Sequence, residues 1–321
     1  MSILITGGLG FIGSNLARRL VTEGNQVTLL DSLIPEYGGN LANVADIQDQ
    51  VRINISDVRD PFATQELLKG VDVVYNLAGQ TSHADSMTDP FSDLDINAKS
   101  QLALLEAVRR VCPEAVVVFA STRQIYGRPQ YLPVDEAHPI RPVDVNGVNK
   151  VAGEQFHLLY CDVYGVRTTA LRLTNTYGPG MRVRDARQTF LGIWIRNLLQ
   201  GEPILVFGDG KQLRDFNYVD DVVDALMRAA VTPACYGRAF NLGSPEVIDL
   251  ASLAQSLCGL EPEAMWQLVP FPPERKAIDI GDYYSNHSCA TQLLGWEPTI
   301  GLEQGLRRTV EYYRQHLPAY L

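Results

Sequence analysis

Three glycines near the N-terminus, Gly7, Gly10 and Gly13, have the spacing of a turn that binds a phosphate. They follow a short apolar run at residues 3–5 and precede a helical pattern at residues 15–23. In a strand–turn–helix arrangement, backbone N–H groups at the start of the helix bind a pyrophosphate. We expect Gly7 to permit the turn, Gly10 to let the backbone approach the phosphates, and Gly13 to let the helix pack on the strand.

Asp31 adds a second feature to this predicted site. It ends a second apolar run at residues 26–30, about 20 residues after the glycines. A carboxylate at this place accepts hydrogen bonds from the hydroxyls of a ribose and repels a 2′-phosphate. The sequence therefore predicts a dinucleotide site that prefers NAD to NADP.

Composition excludes several classes of protein. The chain has 321 residues with a net charge of -10, which argues against a nucleic-acid partner because no basic field exists to replace phosphate counterions. No apolar stretch approaches the roughly 20 residues of a membrane span, so we expect no membrane association. A strand begins within three residues of the start, so we expect no signal peptide.

Five widely spaced cysteines lack C-x-x-C spacing, which favours reduced thiols in a cytoplasmic protein. The histidines have no ligand spacing, and we predict no metal site.

The elements that must position these residues follow from apolar periodicity. Strand-length apolar runs alternate with helical patterns, which is typical of a parallel sheet covered on both faces. Predicted strands cover residues 2–5, 27–30, 51–55, 72–77, 115–120, 168–173 and 238–242. Predicted helices cover residues 15–23, 100–110, 150–164, 188–200, 220–230 and 302–315.

The predicted fold class is α/β, a Rossmann-type doubly wound parallel sheet with a smaller, discontinuous C-terminal substrate lobe. We assign residues 1–175 and 215–245 to the dinucleotide-binding domain, and residues 176–214 and 246–321 to the second lobe. In such folds the ligands lie at the carboxyl ends of the strands, between the lobes.

Many short motifs in a constant order show a resemblance over essentially the whole chain. Besides the glycine turn, they are Asp57-Val58, Asn76-Leu77-Ala78-Gly79-Gln80, Asp95-Ile96-Asn97, Ser121-Thr122 with Ile125-Tyr126-Gly127, Lys150 with Ala152-Gly153-Glu154, Arg172 with Asn175-Thr176-Tyr177-Gly178-Pro179-Gly180, Gly208-Asp209-Gly210, Arg214-Asp215-Phe216 with Val219-Asp220-Asp221, and Leu294-Gly295-Trp296. The chain resembles the extended short-chain dehydrogenase/reductase superfamily, in particular the nucleotide-sugar epimerases and dehydratases. The resemblance implies permanently held NAD, a nucleoside diphosphate sugar in the second lobe, and a homodimer formed by the helices that contain residues 101–111 and 150–164.

The resemblance also implies roles for individual residues. The expected cofactor-binding residues are Gly7, Gly10, Phe11, Ile12, Gly13, Asp31, Asp57, Val58, Leu77, Ala78, Gly79 and Lys150. The expected substrate-binding residues are Gln80, Arg123, Tyr126, Asn175, Arg187, Arg214 and Arg275. The expected catalytic residues are Ser121, Thr122, Asn146 and Lys150. Asp57 could accept a hydrogen bond from the adenine amino group, or it could cap a helix over residues 58–62. Ser121 could donate to the sugar, and Arg214 could bind the diphosphate with its forked guanidinium.

The sequence departs from the family at the catalytic base. The family pairs its lysine with a tyrosine four residues earlier, where this chain has Asn146, and the usual serine of the motif is replaced by Asn149. An asparagine can hold a hydroxyl but cannot deprotonate it. Either another group is the base, or the hydride chemistry does not run in the family way. Asp144 and Tyr126 are nearby in sequence, but we favour a helix cap for Asp144 and a binding-wall position for Tyr126.

A second departure is Arg123. The 4,6-dehydratases carry an Asp-Glu pair in this stretch and the sugar-acid decarboxylases carry a glutamate at this place, so both activities are disfavoured. Three further arginines, Arg182, Arg184 and Arg187, follow Gly180 in a predicted loop that we expect to close over the sugar. Arginine suits a carboxylate, and a surface ion pair is the alternative role.

These features together predict an NAD-dependent epimerase of a nucleoside diphosphate hexose, with a uronic acid as a candidate sugar. Two alternatives stay open. One is a dehydratase or reductase with a non-standard acid or base, and the other is a sugar-nucleotide-binding protein that has lost turnover.

Overall fold

The fold is built on a seven-stranded parallel sheet, as predicted. The computed structural model describes residues 1–187 and 189–321. In this part of the chain the strands are β1 (Ser2–Thr6), β2 (Gln26–Asp31), β3 (Val51–Ile55), β4 (Val73–Asn76), β5 (Val116–Thr122), β6 (Arg167–Leu173), β7 (Asn175–Tyr177), β8 (Ile204–Phe207), β9 (Leu213–Tyr218), β10 (Arg238–Asn241), β11 (Val247–Asp249) and β12 (Trp266–Val269). The main sheet has the order β10-β6-β5-β4-β1-β2-β3, and it contains all seven predicted strands.

Helices cover both faces of this sheet. They are α1 (Phe11–Thr22), α2 (Pro61–Leu67), α3 (His83–Thr88), α4 (Pro90–Leu94), α5 (Ser100–Val111), α6 (Val145–Tyr164), α7 (Phe190–Gln200), α8 (Val219–Val231), α9 (Leu250–Cys258), α10 (Pro273–Ala277), α11 (Ser288–Leu294) and α12 (Leu302–His316). A π-helical turn, Asp95–Lys99, joins α4 to α5. No helix in the described residues is long and apolar enough to cross a membrane.

Alternation along β1 shows how the sheet divides the core. Ile3 and Ile5 belong to a large apolar cluster that also contains Leu16 of α1. Leu4, which points to the opposite face, packs in a second cluster with Leu105 of α5. Successive side chains of a strand point to opposite faces, so both faces of a central strand must be apolar when helices cover them.

Helix starts differ from the prediction. Helix α1 begins at Phe11 rather than at residue 15, and α6 begins at Val145 rather than at residue 150. Asp57 does not cap a helix, because α2 begins at Pro61 with Asp60 as its cap. The helix predicted over 188–200 is observed at Phe190–Gln200, and Gln188 lies outside the described residues.

The second lobe contains two small sheets, of order β11-β9-β7 and β12-β8, with α7, α9 and α12. The predicted domain boundaries at 175/176 and 214/215 fall inside β7 and β9, which pair with each other. The division into domains stays a prediction.

Candidate active site

A cleft of about 620 Å³ lies at the carboxyl ends of the central strands, between the sheet and the second lobe. Loops after β1, β2, β4, β5 and β6 form one wall, and residues near α7, β8, β9 and α10 form the other. Every residue that the sequence predicted for cofactor, substrate or catalysis lines this cleft except Tyr126.

The glycine turn has no room for side chains. Gly7 has a φ of +69°, and a Cβ there would lie 3.0 Å from the backbone N of Ala78. A Cβ on Gly13 would lie 2.3 Å from the carbonyl oxygen of Gly7, so the helix can approach the turn only without one. Gly10 caps α1 without a side chain, and Phe11 and Ile12 begin the helix against the cleft. The first N–H groups of α1 are therefore free of a side-chain cap at the place where an anion binds.

Asp31 is held beside this turn by the backbone. Its Oδ2 accepts a hydrogen bond from the N–H of Leu9 at 3.1 Å, and its Oδ1 accepts one from the N–H of Leu33 at 3.0 Å. Burial raises the pKa of this carboxyl, and the backbone hydrogen bonds act against that rise. The carboxylate thus has a fixed position at the end of β2.

Asp57 and Val58 line the cleft beyond Asp31. Asp57 forms an ion pair with Arg59, with Arg59 Nη2 2.7 Å from Asp57 Oδ2, and this hydrogen bond lowers the pKa of the Asp57 carboxyl. Arg59 is a partner that the sequence analysis missed.

The space around Gly79 fits the reactive end of a cofactor. A Cβ on Gly79 would lie 3.0 Å from both Lys150 Nζ and Asn97 Oδ1. Asn97 Oδ1 is buried and has no hydrogen-bond partner, while its Nδ2 donates to Gln80 O at 3.0 Å. Lys150 Nζ donates to Ala120 O at 3.2 Å, and burial lowers the pKa of Lys150 to about 8. The glycine cradle, the uncapped helix and this orphaned oxygen together fit NAD.

Asn146 is engaged in the protein interior rather than free in the cleft. Its Nδ2 donates to Gln80 O at 2.8 Å and to Asp93 Oδ2 at 3.0 Å. Asn149 Nδ2 donates to the other oxygen of Asp93, at 2.8 Å. Asp93 is fully buried, and the sequence analysis did not identify it. Asn146 and Asn149 therefore hold one buried carboxylate.

Gln80 lines the cleft, but its side-chain amide is also engaged. Its Nε2 donates to Ser82 O at 3.0 Å, and its Oε1 lies 3.3 Å from Asn146 Nδ2.

Ser121 differs from the expectation that it donates to the sugar. Its Oγ donates to Glu154 Oε2 at 2.6 Å, and Glu154 also forms a buried ion pair with Arg172 at 2.6 Å. Ser121 therefore presents only acceptor lone pairs to the cleft in this arrangement. Thr122 Oγ1 accepts from the N–H of Gln124 at 3.2 Å, which leaves its hydroxyl proton available to donate.

The prediction that Tyr126 lines the substrate site is wrong. Its side chain is fully buried and packs with Val134 and Tyr283. Its hydroxyl donates to Asn241 Oδ1 at 2.7 Å and accepts from Arg172 Nη1 at 2.6 Å. Burial raises the pKa of this phenol, so Tyr126 is neither a wall of the cleft nor a base.

Asp144 caps α6, as the sequence analysis favoured. Its Oδ1 accepts from the N–H of Gly147 at 2.7 Å. Its Oδ2 accepts from Gln124 Nε2 at 2.7 Å and lies 3.0 Å from Nδ1 of His83. His83 and Gln124 line the cleft, and neither was predicted.

Arg123 is inside the cleft and makes no ion pair with a described residue. Its Nη2 donates to Asn175 Oδ1 at 3.0 Å, and its guanidinium carbon lies 5.0 Å from the centre of the Tyr283 ring. Its Nη1 is buried without a hydrogen-bond partner. Burial lowers the pKa of Arg123, against the attraction of more distant carboxylates such as Asp215. The alternative of a surface ion pair is therefore wrong.

The other predicted arginines have protein partners. Arg214 is buried, its Nη1 donates to Gly281 O and Leu213 O, and burial lowers its pKa to about 10. Arg275 lies over the ring of Phe207 at 5.5 Å. Arg187 pairs with Asp85 at 2.9 Å.

Only Arg187 of the three loop arginines lines the cleft. Arg182 pairs with Asp185 and donates to Pro35 O at 2.6 Å, and Arg184 is exposed. The expectation that all three close over the sugar is wrong, because local acids and carbonyls already hold Arg182 away from it.

Comparison with known proteins agrees with this geometry. A model of the NAD dependent epimerase/dehydratase family matches residues 3–243. The chain belongs to this family. NAD is its cofactor, as predicted.

Individual relatives of this family member divide between two activities. A UDP-glucose 4-epimerase of Mycolicibacterium smegmatis is 33% identical over 98% of this chain and 99% of the relative. UDP-glucuronic acid decarboxylase 1 of Xenopus tropicalis is 33% identical over 98% of this chain and 72% of the relative. Among solved structures, a UDP-glucose 4-epimerase of Thermotoga maritima with UDP-glucose superposes with a TM-score of 0.89, at 30% identity, over 99% of this chain and 100% of the other.

Proposed function

We propose that this protein is an NAD-dependent epimerase of a nucleoside diphosphate sugar whose hexose carries a carboxylate. The observation that carries the choice of sugar is Arg123, whose buried Nη1 has no partner in the cleft. A buried guanidinium nitrogen without an acceptor is costly, and a carboxylate is the acceptor that suits its geometry. Asn175, which already accepts from Arg123, lines the same part of the cleft.

The diphosphate would lie against Arg214 and Arg275 in the second lobe. Both side chains line the cleft, and Arg214 is fixed by backbone carbonyls. An anchored guanidinium has less side-chain entropy to lose when it binds phosphate oxygens.

Bound NAD would supply the acceptor and donor of hydride. The chain's own residues would bind and orient. Lys150 would hydrogen-bond the nicotinamide ribose, and Thr122 would donate to the reacting sugar oxygen. Ser121, whose proton is directed to Glu154, would accept a hydrogen bond from a sugar hydroxyl. The similar structure of the Thermotoga maritima UDP-glucose 4-epimerase, which contains UDP-glucose, supports a sugar nucleotide as the class of substrate.

A protein that binds sugar nucleotides without turnover is the second candidate, and the interior bonds of Asn146 favour it. No phenol occupies the family's base position, and the amide that does is used to hold Asp93. Turnover therefore requires another proton carrier in the cleft.

Arg123→Ala tests the choice of sugar. We expect the unmodified protein to bind UDP-glucuronate at least tenfold more tightly than UDP-glucose, because about 1.4 kcal/mol is at the low end for a hydrogen bond to a charged group. Arg123→Ala should remove most of this difference and leave NAD affinity unchanged. Calorimetric titration with both ligands, on both proteins, measures it.

Arg184→Ala is the matched control, since Arg184 is exposed and lies outside the cleft. Equal binding of UDP-glucuronate and UDP-glucose by the unmodified protein would exclude a uronic acid as the sugar of the substrate. Product analysis by NMR after incubation with each ligand then shows whether either one is epimerised.

A further inference from the structure

The cleft needs a group that can take a proton near neutral pH. Asn146 cannot do so, Tyr126 faces the interior, and Asp93 is enclosed by the two asparagines. Among the described residues, His83 is the one histidine that lines the cleft. An imidazole can take up a proton at one ring nitrogen and return it, which suits reversible proton transfer.

The two ring nitrogens of His83 have different surroundings. Nδ1 is buried without a hydrogen-bond partner, and the carboxylate oxygen Oδ2 of Asp144 lies 3.0 Å from it. The side chain as a whole is 38% exposed. Since Nδ1 is inaccessible, Nε2 is the ring nitrogen that remains to exchange a proton with a ligand in the cleft.

Asp144 is a rigid partner for this imidazole. Its side chain is fully buried, and the N–H of Gly147 and Nε2 of Gln124 each donate to it at 2.7 Å. A carboxylate on Nδ1 favours the tautomer with the proton on Nδ1 and leaves Nε2 as an acceptor, and it stabilises the imidazolium after proton uptake.

The backbone places this pair next to the family's base position. The N–H of Asn146 donates to Ser86 Oγ at 3.1 Å, and Ser86 Oγ in turn donates to His83 O at 2.8 Å. Asp144 caps the helix that carries Asn146 and Lys150. Helix α3 and the start of α6 therefore hold His83 at a fixed place beside the missing phenol.

We propose that His83, oriented by Asp144, is the general base and acid that replaces the family's tyrosine. This inference rests on the proposed function. When the sugar is oxidised, the O–H bond breaks and its proton goes to Nε2. The O–H electron pair would form the C=O bond, and NAD, when bound, would supply the acceptor for the hydride of the broken C–H bond. On reduction the same proton returns from Nε2 to the oxygen, so atoms and electrons balance over the cycle.

Substitution of His83 gives the first test. His83→Gln should lower kcat by at least about 100-fold, the usual contribution of a general base, and change KM by less than about threefold. His316→Gln is the matched control, because His316 is exposed on α12 outside the cleft. It should leave kcat and the pH profile unchanged.

Asp144→Asn gives the second test, because an asparagine can still cap α6. Loss of the negative charge should lower kcat and leave KM nearly unchanged, because the imidazolium formed on proton uptake loses its charged partner. In NMR titrations that need no turnover, the His83 ring signals should shift when UDP-glucuronate is added, and the His316 signals should not.

The possible outcomes distinguish the role of His83 from the proposed function. Turnover by the unmodified protein together with equal turnover by His83→Gln would overturn the role of His83 and leave the proposed function standing. A sugar nucleotide that binds without moving the His83 signals would overturn that role as well. No turnover of any sugar nucleotide by the unmodified protein would overturn the proposed function and this inference together.

Discussion

Asn146 is the residue that the sequence predicts at the place of the family's catalytic tyrosine. It lines the cleft, but its amide donates to Gln80 O and to the buried Asp93. A buried carboxylate is tolerated only when donors surround it. The amides of Asn146 and Asn149 are such donors, so both asparagines serve one buried carboxylate.

Asn146→Tyr should lower stability instead of restoring the family enzyme. A phenol has one O–H and cannot replace the two N–H donors of the Asn146 amide, which donate to Gln80 O and to Asp93, and the loss of one donor to a buried charge costs about 1–3 kcal/mol. We expect the free energy of unfolding in urea to fall by that amount and turnover to fall with it.

Asp93→Asn in the Asn146→Tyr background is the control, because removal of the buried charge should recover part of the loss. A large gain in turnover by Asn146→Tyr would instead favour a sugar-nucleotide-binding protein that has lost turnover. The variant supplies the tyrosine that the family resemblance pairs with Lys150.

Asp31 carries the second prediction at this scale. The unmodified protein should bind NAD far more tightly than NADP, because the carboxylate held by Leu9 and Leu33 lines the cleft and would repel a 2′-phosphate. Asp31→Asn should reduce the ratio of NAD affinity to NADP affinity by about tenfold, since the neutral amide no longer repels a 2′-phosphate. Calorimetry with both cofactors, on protein freed of bound NAD, decides it. Equal affinities for NAD and NADP in the unmodified protein would show that Asp31 does not discriminate against the 2′-phosphate.

At the scale of elements, α8 joins the second lobe to the main sheet. Asp221 in its first turn accepts hydrogen bonds from the N–H of Thr299 at 3.0 Å, its hydroxyl at 2.8 Å and the N–H of Ile300 at 3.1 Å. Its own carbonyl accepts from Trp296 Nε1 at 2.8 Å. One carboxylate thus orders the segment that leads into α12.

Asp221→Ala should therefore lower the free energy of unfolding in urea by about 3 kcal/mol, because three donors lose a charged acceptor. Asp220→Ala is the matched control, since Asp220 is exposed and its carboxylate lies 3.9 Å from Arg308. It should cost less than about 1 kcal/mol. Similar losses in the two variants would show that the Asp221 cluster does not stabilise the fold.

At the scale of the whole molecule, α5 and α6 leave apolar side chains exposed. Leu159 is 50% exposed, Val163 is 60% exposed and Leu102 on the neighbouring helix is 37% exposed. Leu159 and Val163 are four residues apart, so they lie on one face of α6. These are the helices that the family resemblance assigns to a homodimer, and we propose that this face is its interface.

Leu159→Glu with Val163→Glu should convert a dimer to a monomer, because two charges would be buried at the centre of the interface. Light scattering during size-exclusion chromatography measures the mass. Val231→Glu is the control, as Val231 is 65% exposed at the end of α8, away from this face. A monomeric unmodified protein would exclude the proposed interface.

Local patterns in the sequence determined the sheet and the cofactor turn. Apolar periodicity depends only on neighbouring residues, so it predicted all seven strands of the main sheet, with ends within about two residues of those observed. The requirement for glycine at a φ of +69° is equally local, and Gly7 meets it. Helix starts were less well predicted, because the caps Gly10 and Asp144 precede the apolar pattern.

The tertiary structure alone decided the partners of the polar side chains. Asp93 and Asn146 are 53 residues apart, Ser121 and Glu154 are 33 apart, and Tyr126 and Asn241 are 115 apart. No local pattern specifies which of many donors meets a given acceptor, since that depends on how distant elements pack. For this reason the sequence identified the family and the cleft, while the fold turned Tyr126 inward, directed the Ser121 proton to Glu154 and brought His83 to Asp144.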